Sequence, residues 1–319
     1  MRCRRVRFKP SEALRFLGGL AAAAIVLGLV VLRVTSCAPA PPPRPRPVPI
    51  APPAAPPPPV APPVETTGAC GQGPAEAARA NTAALETLTW RPFGRAEAGW
   101  ETYAPLIARE LRTSCAPQTP GFAAALAAWA GAQRLPADGV MTEAAFARLK
   151  GLIQMRRPFV RLSAQGVCPA APAAGQLASA AVAEGYAGKA IQLRPGALAA
   201  YRRMAAAART EDPRIAADPR NLTIFSGFRS PESDAARCAK EGNCNGVVRA
   251  TCSPHRTGLA MDLYVGQAPG FGPDSSADAN RLFMSRTPAY RWLVANADRF
   301  GFVPYPFEPW HWEWTGEAP

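Results

Sequence analysis

The chain's only two histidines lie in short motifs that each also contain a carboxylate. Asp262 follows His255 by seven residues, and Glu308 precedes His311 by three. Two neutral imidazoles and one carboxylate leave a coordination position open for water, as in a catalytic zinc site. We therefore predict that His255, Asp262 and His311 bind Zn²⁺ and that Glu308 takes a proton from that water. A lone histidine is more often a surface or hydrogen-bonded core residue. Because the chain's only two histidines both lie in such motifs, metal ligation is favoured here.

Two strands are predicted to carry most of these residues. Residues 259–265 alternate in character, which places Asp262 on the face opposite the aliphatic side chains. In the strand predicted at 310–314, His311 and Glu313 share one face, so Glu313 can orient the imidazole. Proline at 309 cannot donate to a ladder, and Glu308 is therefore expected at the strand entrance.

The remaining elements of residues 170–316 have no βαβ repeat. Helices are expected at 195–209 and 288–300, the second ending at Gly301, and a strand at 222–225. This order predicts an α+β fold built on a small antiparallel sheet with flanking helices.

Three ordered motifs in this region resemble the VanY-like D-alanyl-D-alanine carboxypeptidase family. They are Ser-Gly-Phe-Arg-Ser at 226–230, Ser-x-His-x-x-Gly-x-Ala-x-Asp at 253–262 and Glu-Pro-Trp-His-Trp at 308–312. The resemblance implies a zinc D,D-peptidase/hedgehog-like fold. It also implies zinc binding by the two histidines and Asp262.

The same resemblance assigns roles to the remaining motif residues. Glu308 would be the general base and then the acid that protonates the leaving amine. Arg229 would stabilise the polarised carbonyl or the substrate's terminal carboxylate, which suits a planar guanidinium, and Ser253 would help to hold that carboxylate. The chain departs from the family at 231–234, where a glutamine commonly follows the Arg-Ser pair.

Residues 70–165 are alanine-rich, and we predict a small all-α unit there. Phe122, Leu126 and Trp129 recur at helical spacing, and an Asp-Gly turn separates them from a helix that starts at Thr142. Residues 120–154 resemble the peptidoglycan-binding-like helical fold. A helical pedestal that binds nothing is the alternative.

The N-terminal region is predicted to tether the chain. Residues 1–16 are basic and cytoplasmic, and 17–33 form an apolar signal anchor or signal peptide. Cleavage before a lipidated Cys37 is the alternative. Residues 38–67 are a proline-rich spacer of roughly 90 Å in polyproline II conformation. The rest of the chain would then be membrane-anchored and extracytoplasmic, in the periplasm or cell envelope.

Charge and cysteine content narrow the partners. Residues 1–47 contain nine basic residues and one acid, which is +8 of the formal +13. The formal charge of the remaining residues is modest and fits weak attraction to an anionic wall polymer. It does not indicate a nucleic-acid-binding surface.

Six cysteines follow the linker and allow 15 disulfide pairings; they are Cys70, Cys115, Cys168, Cys238, Cys244 and Cys252. We expect a disulfide to hold the segment 238–252 beside the site. A structural zinc site of three cysteines and His255 is disfavoured by the wide gap between Cys238 and Cys244.

The predicted function is removal of the terminal D-alanine from peptidoglycan stem peptides by a zinc carboxypeptidase. An L,D-carboxypeptidase or a peptidoglycan endopeptidase on the same fold is an alternative. An inactive wall-binding or scaffold protein is another, although a degenerate domain is expected to lose at least one of the four zinc-site residues.

Overall fold

The computed structural model describes residues 68–91, 97–242, 244 and 252–319. The segments predicted as signal anchor (17–33), lipidated Cys37 and spacer (38–67) lie outside the described residues. Within the described ranges, no helix is long and apolar enough to cross a membrane.

The first described part, up to residue 165, is mainly helical. Its elements are α1 (Ala75–Ala84), β1 (Thr89–Trp90), β2 (Glu97–Ala98), α2 (Ala104–Glu110), α3 (Pro120–Ala132), α4 (Glu143–Gln154) and α5 (Pro158–Ser163). The predicted Thr142 start of α4 is confirmed, because its hydroxyl accepts from Ala145 N. The expected turn is also present, with Gly139 at φ +78°. The short β1–β2 pair is an addition to the all-α unit that the sequence predicts.

The second part carries the main sheet. Its elements are β3 (Ala178–Ser179), β4 (Gln192–Leu193), α6 (Pro195–Glu211), α7 (Pro213–Ala216), β5 (Ile224–Ser226), α8 (Pro231–Glu241), β6 (Ala260–Leu263), α9 (Asp278–Met284), α10 (Pro288–Asn296), β7 (Phe302–Tyr305) and β8 (Glu308–Trp314). The helix expected at 288–300 is α10 followed by a 3₁₀ turn, Ala297–Phe300. Gly301 ends it at φ +83°, as predicted.

Strands β5, β6, β8 and β7 form one antiparallel sheet in that order. This confirms the predicted mixture of helices and a small antiparallel sheet. Glu308 was expected outside the last strand but is its first residue, paired with Tyr305. An irregularity in the β7–β8 register between Pro304 and Tyr305 lies beside Pro309, so the missing proline N–H interrupts no regular ladder there.

The sheet is covered on both faces. Trp312 packs edge-to-face on Tyr290 of α10, with ring centroids 6.2 Å apart. On the other face, the turn between α4 and α5 reaches Glu313 through Arg157. Buried side chains of the helical part and of the sheet part belong to one continuous hydrophobic core.

Polar contacts also cross between these two parts. Arg281 of α9 and Glu97 of β2 form a buried ion pair. The hydroxyls of Tyr103 and Tyr290 lie 3.1 Å apart. Residues 70–165 therefore pack directly against the sheet part.

Three disulfides join the six cysteines of the described residues: Cys70–Cys115, Cys168–Cys252 and Cys238–Cys244. Two of these bonds involve Cys238, Cys244 and Cys252, the cysteines of the segment that was expected to carry a disulfide beside the site. Cys252 directly precedes the Ser-x-His motif, so its bond to Cys168 fixes that motif to the start of the second part.

Candidate metal centre and substrate cleft

The register of the main sheet aligns three polar residues across three strands. Ser226 of β5 pairs with Asp262 of β6, which in turn pairs with His311 of β8. Paired residues of adjacent strands point to the same face. The sheet therefore brings residues from three distant chain segments to one place.

His255 reaches the same place from a 3₁₀ turn, Pro254–Thr257. Gly258 ends this turn at φ +71°, in the left-handed region, and a Cβ there would lie 3.1–3.2 Å from two side chains. The Nδ1 atom of His255 donates to the carbonyl of Gly227 at 2.7 Å. That hydrogen bond directs Nε2 into the site.

The predicted metal ligands converge. His255 Nε2 lies 3.2 Å from Asp262 Oδ2, and His311 Nδ1 lies 2.9 Å from Asp262 Oδ1. One ligand atom from each residue lies within 4.8 Å of the others, and all three residues are buried. With Nδ1 protonated, His255 Nε2 and a carboxylate oxygen are two acceptors facing each other, which a cation between them stabilises. The donor set therefore fits a divalent ion such as zinc.

The charges of His255, Asp262 and His311 shift one another's pKa values. Burial and the nearby Arg229 lower the pKa of His255. Burial raises the pKa of Asp262, but the two imidazoles overcome this and hold it well below its usual range. Burial lowers the pKa of His311, but the carboxylates of Asp262 and Glu313 raise it overall to about 9. The carboxylate of Asp262 is thus kept ionised between two imidazoles.

Glu313 lies behind His311 on the same face of β8. Its Oε1 atom is 3.5 Å from His311 Nε2, without the alignment of a hydrogen bond. Arg157 donates to Oε1 from Nε at 2.7 Å and from Nη2 at 2.6 Å. The backbone N–H of Phe159 donates to Oε2 at 3.1 Å. Burial raises the pKa of Glu313, but Arg157 and His311 lower it overall to about 2.

Glu308 lines the same cleft as the three ligands. Burial raises its pKa to about 7, with Asp262 adding to the increase and His311 opposing it. A carboxyl group whose pKa lies near neutrality can both take up and release a proton. This suits the acid–base role predicted from the motif.

Arg229 and Ser253 are held together by a residue that the sequence analysis did not single out. Asp234 of α8 is buried and accepts from Arg229 Nε at 2.8 Å and from the Ser253 hydroxyl at 2.7 Å. Arg229 Nη1 donates to Ser226 Oγ at 2.8 Å, and Nη2 lies 3.4 Å from Ser253 Oγ. The Ser253 proton is therefore committed to Asp234, and Nη2 is the least engaged donor of the guanidinium.

The cleft around these residues has a volume of about 400 Å³. All six predicted site residues line it, together with residues that no motif marked. The latter include Gln154, Arg157, Phe159 and Val160 from the helical part, and Lys189, Arg237 and Asp274 from the second part. One wall of the cleft is thus formed by the helical part of the chain.

Three comparisons with known proteins bear on this domain. Residues 190–317 match the family model VanY, D-alanyl-D-alanine carboxypeptidase. Among solved structures, the LD-carboxypeptidase LdcB is 25% identical with a TM-score of 0.27, covering 39% of this chain and 60% of that one. A zinc complex of a variant of the vancomycin-resistance D,D-pentapeptidase VanY is 22% identical with a TM-score of 0.25, covering 40% and 74%. No curated protein matches the chain.

The matched range includes all six site residues that the motifs predict. The residues Arg229, Ser253, His255, Asp262, Glu308 and His311 fall between positions 190 and 317 and line one cleft. Residues 190–317 are therefore the part of this chain that is similar to the VanY family, D-alanyl-D-alanine carboxypeptidase.

Proposed function

We propose that the chain is a zinc-dependent D-alanyl-D-alanine carboxypeptidase acting on peptidoglycan stem peptides. The observation that carries the proposal is the convergence of His255, Asp262 and His311 in a cleft that also contains Glu308 and Arg229. Two imidazoles and a carboxylate would hold a zinc ion, as in catalytic zinc sites with three protein ligands. The bound ion would supply Lewis acidity and lower the pKa of water to about 7.

The protein groups divide the remaining chemistry between them. Glu308 takes a proton from the attacking water and returns it to the nitrogen of the departing D-alanine. Arg229 offers Nη2 to the cleft, where it stabilises the developing oxyanion or binds the terminal carboxylate of the peptide. Asp234 keeps the guanidinium in place through Nε, and Ser253 supports the same arrangement.

The test measures zinc content and D-alanine release by the purified full-length chain. We expect about one zinc per chain and release of D-alanine from a muropeptide pentapeptide, abolished by a chelator and restored by zinc. A tetrapeptide substrate offered in parallel detects L,D cleavage, and a cross-linked dimer detects endopeptidase activity. Cleavage of the tetrapeptide or of the dimer, without release of D-alanine from the pentapeptide, would contradict the D,D-carboxypeptidase specificity. The chain would still be a zinc peptidase.

Glu308→Gln separates catalysis from binding. We expect it to retain zinc and to lose about 10²- to 10⁴-fold in kcat, as for removal of a general acid–base. Glu101→Gln, at an exposed position on the helical part, is the matched control and should leave kcat unchanged. Equal activity of both variants would show that the chain is not an enzyme of this kind.

A further inference from the structure

Arg157 belongs to the helical part of the chain, yet its guanidinium lies behind the metal-ligand group. It lies in the turn between α4 and α5, directly before Pro158, and is 156 residues from Glu313. The VanY family match begins only at residue 190. The contact thus joins the site to a region outside the matched domain.

The proton on His311 decides whether its ring can bind a metal. Nδ1 is the nitrogen that faces Asp262 and His255, so it must be unprotonated for ligation. The ring proton must then be on Nε2, which faces Glu313 Oε1 at 3.5 Å. A carboxylate in this position favours the required tautomer and fixes the ring orientation.

Glu313 holds that position only because both of its oxygens are engaged. Two donors of Arg157 bind Oε1, and the Phe159 N–H binds Oε2. A side chain that is 1% exposed has no water to replace these donors. Without Arg157, the buried carboxylate would lose its counter-charge and its orientation.

Arg157 is itself held on several sides, which makes it a rigid support. Its Nη1 donates to Gln154 Oε1 at 2.8 Å, and its guanidinium lies 4.2 Å from the centre of the Tyr305 ring. Gln154 in turn donates to the carbonyl of Pro304 at 2.9 Å. The planar fork binds a carboxylate oxygen and an aromatic face together, and lysine cannot reproduce this arrangement.

We propose that Arg157 is a positioning residue of the metal centre, acting through Glu313 on His311, so that the helical part completes the site of the VanY domain. The inference rests on the proposed function in taking the metal to be zinc. A simpler role is possible for any buried ion pair, namely joining two parts of a fold. The pair Arg281–Glu97, which crosses the same interface, supplies the matched comparison.

The first measurement is the zinc dissociation constant of the full-length chain, by competition with a chromophoric chelator. We expect Arg157→Gln and Glu313→Gln each to weaken zinc binding by about 10- to 100-fold. The double variant should show no further loss, because both residues act through the same imidazole. Arg157→Lys should recover little. Glu97→Gln should leave zinc affinity unchanged, even if it lowers the melting temperature.

The second measurement is the nitrogen spectrum of the imidazoles. The chain has two histidines, so His255 serves as an internal reference for His311. With zinc bound, we expect His311 to carry its proton on Nε2 in the wild type and to lose this uniform state in Glu313→Gln. If Arg157→Gln does not fold, Arg157→Lys, which keeps the positive charge, is measured in its place, and Glu313→Gln tests the contact between Glu313 and His311 by itself.

The outcomes separate the two proposals. Wild-type chain that binds no zinc would overturn the proposed function and this inference with it. Wild-type chain that binds zinc and releases D-alanine, with unchanged zinc affinity and His311 signals in the variants, would overturn this inference alone. Arg157 would then be a structural ion-pair residue like Arg281.

Discussion

Two arginines flank the metal-ligand group, and they differ in what their guanidinium groups leave open. Arg229 is anchored by Asp234 and Ser226 but keeps Nη2 weakly engaged, and its side chain is 19% exposed in the cleft. Arg157 is 5% exposed and directs two donors to one oxygen of Glu313. The same side-chain chemistry therefore suits substrate binding on one side and support of a ligand on the other. Burial and the number of engaged donors make the difference.

The largest effect is expected from replacing Arg157, whose guanidinium is buried and fully engaged. Arg157→Gln leaves the buried carboxylate of Glu313 without its counter-charge, which should lower the free energy of unfolding by about 3–5 kcal/mol. Urea unfolding of the metal-free chain measures this. A decrease of less than about 1 kcal/mol in the free energy of unfolding would mean that water or another cation replaces Arg157. The contrast between Arg157 and Arg229 would then disappear.

Replacing Arg229 should lower turnover without weakening zinc binding. Arg229→Gln removes the donor that the proposed function assigns to the substrate, so we expect kcat/KM to fall by about 10²- to 10³-fold. Zinc affinity should not fall, because the Arg229 guanidinium hydrogen-bonds to Asp234, Ser226 and Ser253 and because removing a nearby positive charge does not weaken the binding of a cation. A parallel loss of zinc would show that both arginines support the metal centre.

A variant of Asp234 tests whether Arg229 needs this carboxylate to hold its guanidinium in place. Asp234→Asn keeps the shape of the side chain but removes its charge, and it can no longer accept from both Arg229 and Ser253 equally well. We expect a loss of about 1.5 kcal/mol, or roughly tenfold in kcat/KM. Steady-state kinetics on the pentapeptide would reveal it; an unchanged kcat/KM would mean that Ser226 is a sufficient anchor.

The smallest effect is expected at Ser253. Its hydroxyl proton is donated to Asp234, so the serine acts on Arg229 more than on the substrate. Ser253→Ala should therefore lower kcat/KM by roughly fivefold, about 1 kcal/mol. A loss comparable to that of Arg229→Gln would instead assign the serine a direct bond to the substrate carboxylate.

Much of the site could be predicted because its residues lie in compact motifs. Strand alternation placed Asp262 and His311 on definite faces, and the scarcity of histidine made both positions conspicuous. The shared face of His311 and Glu313 followed from the same period of two.

The supporting residues carried no such signal. Asp234 lies in a helix where the motif departs from the family, and its role depends on the first turn of α8, which places it against Arg229 five residues earlier. Arg157 meets Glu313 across 156 residues, and no periodicity in either segment indicates that contact. Long-range ion pairs depend on tertiary packing, which local sequence patterns do not encode.

The alignment of Ser226, Asp262 and His311 across three strands has a consequence for how the chain selects its native pairing. Sliding β6 by one residue against β8 would turn Asp262 to the opposite face of the sheet. A misaligned sheet would therefore lack one of the three ligands and bind the ion weakly. Metal binding stabilises only states that present all three ligands, by an amount that grows with ion concentration. The bound ion would thus favour the correct strand register over its nearest competitors.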